Sequence, residues 1–370
     1  MAYDISDLPL DTLIGPLART TEGLVRLDER LSRSPVREGF VERQNFAEAV
    51  AALWLEGELV HLEDLVLHDA HMDARAPTHE LTRAHAVLRA RRQILAQAPD
   101  WALGRDGLRQ LTGRGGGQAA GGWEGQGLSA PDPDEPLGAA EQDPLAEEIA
   151  AIDAVLERST RILEGGYAPA RRGQEASRER PELVYDLDWD EDARLAEWRS
   201  LMKEAGSLPS MLRAALLLDA WQEIEVLQRG GWLGPLLVAA MLRQDGVAAH
   251  HLAGLHLGAR SIARERRRAR DRGARLVALL DAIDAAARAG LKEHDRLMLA
   301  KGQLERRLGN RRASSKLPDL VALVLSRPLV STGMIQEKLK VSKQGALNLL
   351  GELGLREMTG RGRFRAWGIV

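Results

Sequence analysis

Residues 317–370 read LPDLVALVLSRPLVSTGMIQEKLKVSKQGALNLLGELGLREMTGRGRFRAWGIV, and the rest of the chain is best understood outward from this stretch. Pro318 and Asp319 suit a first helical turn, where a missing N–H costs nothing and negative charge meets the helix dipole. Leu320, Val321, Val324 and Leu325 then recur at helical spacing. After the Arg327-Pro328 break, Ser331 or Thr332 can cap a second helix whose apolar face is Met334, Ile335 and Leu339, and Lys340-Val341 makes a short turn. Ser342 caps a third helix with Ala346, Leu349, Leu350 and Leu353 inward at i, i+3, i+4 and i+7, which leaves Lys343, Gln344, Leu347 and Asn348 outward. Gly354 closes it. Alternation from Leu355 to Thr359, a turn at Gly360-Arg361-Gly362 and a return over residues 363–370 predict a hairpin with Arg363, Arg365 and Trp367 on one face. The pattern is that of a winged helix-turn-helix.

Such a module reads DNA with simple chemistry. Short polar and amide side chains near a helix N-terminus reach base edges in the major groove, and arginines on a wing meet phosphates or the minor groove. Ser342, Lys343, Gln344 and Asn348 supply the first set; Arg361, Arg363 and Arg365 supply the second. The expected partner is double-stranded DNA, bound by a homodimer because one short helix reads few bases. The alternative is a module that docks on its own chain or on another protein, its arginines forming a solvated face.

Composition narrows the remaining classes. Hydrophobic residues are 44% and charged residues 28% of 370, ordinary for a globular protein, and 51 Lys and Arg nearly balance 54 Asp and Glu. Any nucleic-acid contact must therefore come from local clusters rather than from overall charge. With no cysteine, disulfides, thiolate metal sites and Cys nucleophiles are excluded. Met1 to Leu10 does not read as a signal peptide and no apolar run reaches the roughly 18 residues of a membrane span, so a cytoplasmic protein without membrane contact is expected.

Along the chain, helical periodicity is near continuous. Leu10, Leu13, Ile14 and Leu17 predict one amphipathic face, continued by Leu24, Leu27 and Leu31; Phe46, Val50 and Leu53 predict another, and Leu81, Ala84, Val87 and Leu88 a third. These place an N-terminal helical domain over 1–103. Gly, Gln and Pro then dominate, which predicts a disordered linker over 104–140. A helical core follows over 141–312, with a helix from Pro144 to Glu164 and its buried centre at Met211 to Leu218 and Leu233 to Leu242. The winged module takes 313–370, so the fold class is mainly α with a short β-hairpin.

Two stretches resemble Fic-family proteins, a nucleotidyl-transferring fold whose bacterial members often end in a winged helix. The first is AEAVAALWLEGELVHLEDLVL at Ala47 to Leu67, where Glu56-Gly57 and Leu62-Glu63-Asp64-Leu65 match the family's N-terminal pattern and Ala52 replaces its Ser or Thr. The second is MLRAALLLDAWQEIEVLQRGGWLGPLLVAAMLRQ at Met211 to Gln244, similar to the helix, loop and helix around the Fic catalytic motif. The same order of elements also resembles an alphaproteobacterial group with no assigned activity. The resemblance implies a Fic-like core, yet the chemistry needs a His as general base and arginines for nucleotide phosphates. No His lies between Trp221 and Leu236; the nearest, His250, His251 and His256, are downstream. Gly230-Gly231 fall where the family has Asn-Gly, with Trp232 and Pro235 over its two arginines. The implied reading is a catalytically degenerate scaffold with no catalytic residue, no cofactor and no nucleotide bound. Glu56, which resembles the family's inhibitory Glu, would lack its arginine. Arg229, Gly230 and Gly231 remain a possible anion-binding loop, or simply a turn that lets two helices pack.

Other clusters admit two readings each. His61, Glu63, Asp64, His68, His71, Asp73 and His79 are dense but lack a metal-binding spacing, so no metal is expected. Seven arginines between 264 and 275, against Glu265 and Asp271, could track a phosphate backbone or be a solvated helix face. Trp54, Trp221, Trp232 and Trp367 read as core, and Asp186 to Glu191 as a helix start with acidic residues in its first turn. The expected function is DNA binding in transcriptional regulation. The rivals are a divergent nucleotidyl or phosphoryl transferase using Glu223 or Glu225, and a protein-interaction or antitoxin-like module.

Overall fold

The computed structural model describes residues 3–72, 76–113, 189–308, 315–359 and 365–369. Helix dominates throughout, as the Ala, Leu and Arg content predicts. Before residue 114 come α1 (Leu10–Ser32), α2 (Arg37–Leu55), α3 (Leu62–Asp69), α4 (His79–Ala96) and α5 (Arg105–Leu111). After 188 come α6 (Glu191–Glu204), α7 (Ser210–Ile224), α8 (Leu233–Gln244), α9 (Leu255–Arg260), α10 (Arg264–Arg267) and α11 (Arg272–Leu308). The C-terminal stretch holds α12 (Leu317–Ser326), β1 (Val330–Ser331), α13 (Thr332–Leu339), α14 (Lys343–Leu353), β2 (Arg356–Glu357) and β3 (Ala366–Gly368).

The 37-residue α11 is the spine, packed along α1 and α9. Its stripe of Leu276, Leu280, Ile283, Ala287, Leu297 and Leu304 is buried. So are Leu13, Leu24, Leu27 and Leu31 of α1, each burial stabilising by about 1.5–3 kcal/mol. α7 and α8 are apolar nearly all round and lie at the centre, as their sequence predicts: Met211 to Leu212, Ala214 to Leu218 and Leu236 to Leu242 are all buried. Trp198 meets Trp221 edge to face, with ring centroids 5.2 Å apart. Gly234 is required there, because a Cβ would come within 2.4 Å of the Trp221 ring. One hydrophobic cluster runs from Leu13 through α7 and α8 to Trp367, so helices from both sides of residues 114–188 share it.

The densest buried charge among the described residues is a network where α2 and α4 meet residues 250–257. Arg91, fully buried, donates to Asn45 Oδ1 (3.0 Å), Glu48 Oε2 (3.3 Å) and the Leu252 carbonyl (3.2 Å). Glu48 also pairs with His256 Nδ1 (2.9 Å) and accepts from the Leu257 amide (2.7 Å). Burial works to raise the Glu48 carboxyl, but the hydrogen bond and charge of His256 and the charge of Arg91 outweigh it and hold it low. Asp28 on α1 binds His250 Nδ1 (2.9 Å) and His251 Nδ1 (3.1 Å). Burial opposes its ionisation, yet the hydrogen bonds from His251 and His250 lower it to about 2.

Four expectations need correction. Leu10 and Ile14 are 50% and 62% exposed. The packed stripe of α1 runs Leu13, Thr20, Leu24, Leu27 and Leu31; Ile14 lies a further 100° round the helix and Leu10 opens it, one turn before that stripe begins. Trp54, read as core, is 46% exposed at the end of α2. Residues 105–111, expected in the linker, are the helix α5, with Leu108 buried in the main core. Glu56 does have a guanidinium: Arg83 of α4 reaches both Glu56 and Glu58, a partner 27 residues away that no local motif reveals. The rest of the expected linker, the helix from Pro144 and the start of the acidic segment lie outside the described residues; Asp190 caps α6 by accepting from the Ala193 amide (2.9 Å).

Candidate nucleic-acid interface

Local rules build the C-terminal module as the sequence predicts. Ser331 Oγ accepts from the Met334 amide (3.2 Å) and starts α13, which ends at Lys340 in the left-handed region (φ 55°). Two residues on, Ser342 Oγ accepts from the Gly345 amide (3.2 Å) and starts α14, closed by Gly354 at φ 59°. Ala346, Leu350 and Leu353 are buried; Leu349, expected among them, is half-buried. Lys343, Gln344 and Asn348 are exposed on the opposite face. Gln344 Nε2 donates to Asn348 Oδ1 (3.0 Å), an i, i+4 bond that holds the two amides one helical turn apart on the surface. Lys343 forms no ion pair among the described residues.

The strands form one antiparallel sheet in the order β1-β3-β2, with Val330 opposite Trp367 on one side and Glu357 opposite Trp367 on the other. β1 was not anticipated; its signal is the apolar pair Leu329-Val330 between Pro328 and the Ser331 cap. Arg365 lies over the Trp367 ring (5.1 Å) and donates to Glu357 Oε2 through Nε (2.8 Å) and Nη2 (2.6 Å), a pairing that raises its guanidinium further. Arg361 and Arg363 lie outside the described residues. Arg356 on β2, passed over in the sequence, is exposed and forms no ion pair among the described residues.

Arginines from the rest of the chain seize the ends of this module. Arg43 of α2, buried, donates to the Val324 (2.7 Å) and Leu325 (3.4 Å) carbonyls at the end of α12; burial lowers its guanidinium to about 10. The backbones meet closely here, since a Cβ on Gly39 would come 2.1 Å from the Leu325 oxygen. Arg307, at the end of α11, donates to the Leu353 carbonyl at the end of α14, and Arg296 to the Ile369 carbonyl (2.7 Å). The module docks on its own chain through these ends, and no described residue covers the Lys343, Gln344 and Asn348 face.

The second candidate, residues 225–232, connects α7 to α8. Glu225 (φ 51°) and Gly230 (φ 89°) turn it through the left-handed region. Two of its amides are occupied by the chain's own carboxylates: the Trp232 N–H donates to Glu56 Oε1 (3.2 Å) and the Gln228 N–H to Glu191 Oε1 (3.0 Å). Among the described residues no three His, Asp or Glu gather to hold a metal; in the histidine-rich stretch, Asp69 is bound by Arg92 (2.6 Å) and His85 (3.2 Å).

Residues 183–309 match a family described as protein of unknown function (DUF1612), and residues 317–370 match an HTH DNA binding domain. A relative from Sinorhizobium fredii, described as uncharacterized protein y4cF, is 49% identical over 386 aligned positions that cover the whole of both chains. The helices α13 and α14 thus belong to a DNA-binding domain that follows the DUF1612 match in this chain, and the chain belongs to the family of the Sinorhizobium fredii protein.

Proposed function

We propose that this protein is a sequence-specific transcriptional regulator of the cytoplasm, binding duplex DNA as a homodimer. Its recognition helix is α14, placed in the major groove with Ser342, Lys343, Gln344 and Asn348 toward the bases. β2, β3 and residues 358–365 act as a wing whose Arg361, Arg363 and Arg365 meet phosphates or the minor groove. The observation that supports this most is the outward face of α14: two amides and an ammonium, exposed at the helix N-terminal half, are the side-chain types that read adenine and guanine edges.

The scaffold before it resembles Fic proteins, and on this reading it has left nucleotidyl transfer behind. The loop that would face a nucleotide has no His, and its Trp232 and Gln228 amides already hold Glu56 and Glu191. The transferase alternative is weakened further because Glu223, one of its candidate bases, pairs with Arg275 (3.4 Å).

The test is to incubate the purified protein with genomic fragments across a salt series and to sequence what is retained at physiological salt. A palindromic motif is expected among the retained fragments. Retention without sequence preference would sink the regulator reading.

A further inference from the structure

The seven arginines between 264 and 275 divide into two groups with different work. Four are committed to the protein. Arg267 Nε donates to the Ile262 carbonyl (3.0 Å), and Arg275 Nη1 to the Ala269 and Arg270 carbonyls (3.2 Å each) while its other nitrogens hold Asp219 (2.7 and 3.1 Å). Arg266 pairs with Asp281 (2.6 Å), and Arg272 lies over the Tyr3 ring (4.8 Å). These contacts tie down the backbone of residues 262–272 from within.

Arg264, Arg268 and Arg270 are the other group. All three are exposed and none has an ion pair or hydrogen-bonded side chain among the described residues. The nearby carboxylates are mostly engaged: Asp271 accepts from the Ala274 amide at the start of α11 (2.7 Å), and Asp281 holds Arg266 and, at 3.8 Å, Arg19. Glu265 forms no ion pair among the described residues. Burial first, and then the like charges of Arg268 and Arg264, lower the Arg267 guanidinium, with Glu265 opposing them. A fixed backbone presenting unneutralised guanidiniums suits a row of phosphates.

The patch also has a defined relation to the DNA-binding domain. It abuts the first turn of α11, whereas Arg307 in the last turn of that helix holds the end of α14. A 37-residue helix is about 55 Å long, which corresponds to about 16 base pairs of duplex. We propose that Arg264, Arg268 and Arg270 form a second, sequence-independent contact with the DNA backbone, about one and a half helical turns from the bases that α14 reads. This rests on the DNA-binding reading of α14 and enlarges the footprint beyond what a helix-turn-helix covers alone.

The experiment measures affinity of the full chain for a mixed-sequence duplex of about 40 base pairs, across a salt series, for three proteins. They are the wild type, the triple variant Arg264→Ala, Arg268→Ala, Arg270→Ala, and the wing variant Arg363→Ala, Arg365→Ala. The triple variant should weaken binding at low salt by tenfold or more and reduce the log–log salt slope by about 2–3, close to 0.9 for each phosphate no longer neutralised. Its melting temperature should not change, since the three side chains make no ion pair or hydrogen bond among the described residues. An unchanged slope and affinity in the triple variant, with the wing variant weakened, overturns the second contact and leaves the reading of the C-terminal domain standing. Weakening in the triple variant alone supports the patch and contradicts the wing. No binding by the wild type overturns both.

Discussion

The outward face of α14 and the loop from Gln228 to Trp232 are both polar, glycine-containing and at a helix N-terminus, yet they differ in how their polar groups are used. In the loop, the two end amides, of Gln228 and Trp232, are taken by Glu191 and Glu56, and Glu56 is itself held by Arg83. On α14 the two amides bond each other, and among the described residues neither they nor the exposed Lys343 ammonium have another side-chain partner. The first arrangement resembles a binding site satisfied from within; the second is a surface whose hydrogen-bonding capacity is left over for a partner. Commitment of polar groups, rather than their presence, separates the two regions.

If that distinction is right, changes to committed groups cost stability and spare DNA binding, and changes to uncommitted groups do the reverse. The largest effect is expected at the most committed site. Arg91→Met removes the arginine partner of the buried Glu48, which keeps only His256 and the Leu257 amide, and should destabilise by about 3 kcal/mol in denaturant unfolding, with the remaining folded protein binding DNA as before. Next comes a mixed case, since Arg365 is engaged by Glu357 and the Trp367 ring: Arg363→Ala with Arg365→Ala should weaken binding to every sequence by about tenfold, or 1.4 kcal/mol, lower the salt slope, and cost only a little stability. A comparable destabilisation of the fold instead would place these arginines with the committed groups.

Acid should separate the regions as well. The folded-state carboxyl of Asp28 lies near 2, below its ordinary value of 3.8, so its contribution is complete above about pH 4 and is lost as pH falls toward 2. His251 works in the same direction over a higher range. Burial, partly offset by Asp28, lowers its ring below the ordinary 6.5, so the unfolded chain takes up the proton first and stability declines as pH drops below about 6.5. Together these predict acid destabilisation beginning near pH 6.5 and deepening below pH 4, with Asp28 contributing about 1–2 kcal/mol after allowance for solvent screening. A flat stability profile from pH 7 to 3 would remove the Asp28 pairing from the account. The smallest effect is expected at Glu56→Gln, about 1 kcal/mol or less, because the pair with Arg83 is partly solvated and Gln can still accept from Trp232. An undiminished affinity for DNA in that variant keeps the loop apart from the interface.

Much of this was legible before any coordinates. Serine caps, the left-handed Gly354 and the Ala346-Leu350-Leu353 stripe are local signals, each set by residues within one or two turns, and they placed α13 and α14 correctly. What stayed hidden depends on residues far apart in sequence. The Arg83 to Glu56 pair, the Arg43 contact with the end of α12 and the burial of Arg91 all join different helices. Exposure of Ile14 and Trp54 is of the same kind, because an apolar residue beside a packed stripe is assigned by its neighbour helix and not by its own spacing. Among the candidate site residues, the positions of Lys343, Gln344 and Asn348 followed from periodicity alone, whereas the engagement of Arg365 by Glu357 required the register of β2 on β3.

The most direct test of the central claim is a paired measurement on Gln344→Ala with Asn348→Ala, using a motif recovered from genomic fragments and a scrambled duplex of equal length. The account predicts that the ratio of motif to scrambled affinity falls by tenfold or more, while the salt slope and the melting temperature stay at wild-type values. An unchanged ratio would show that the outward face of α14 does not read bases, and would contradict the account at its root.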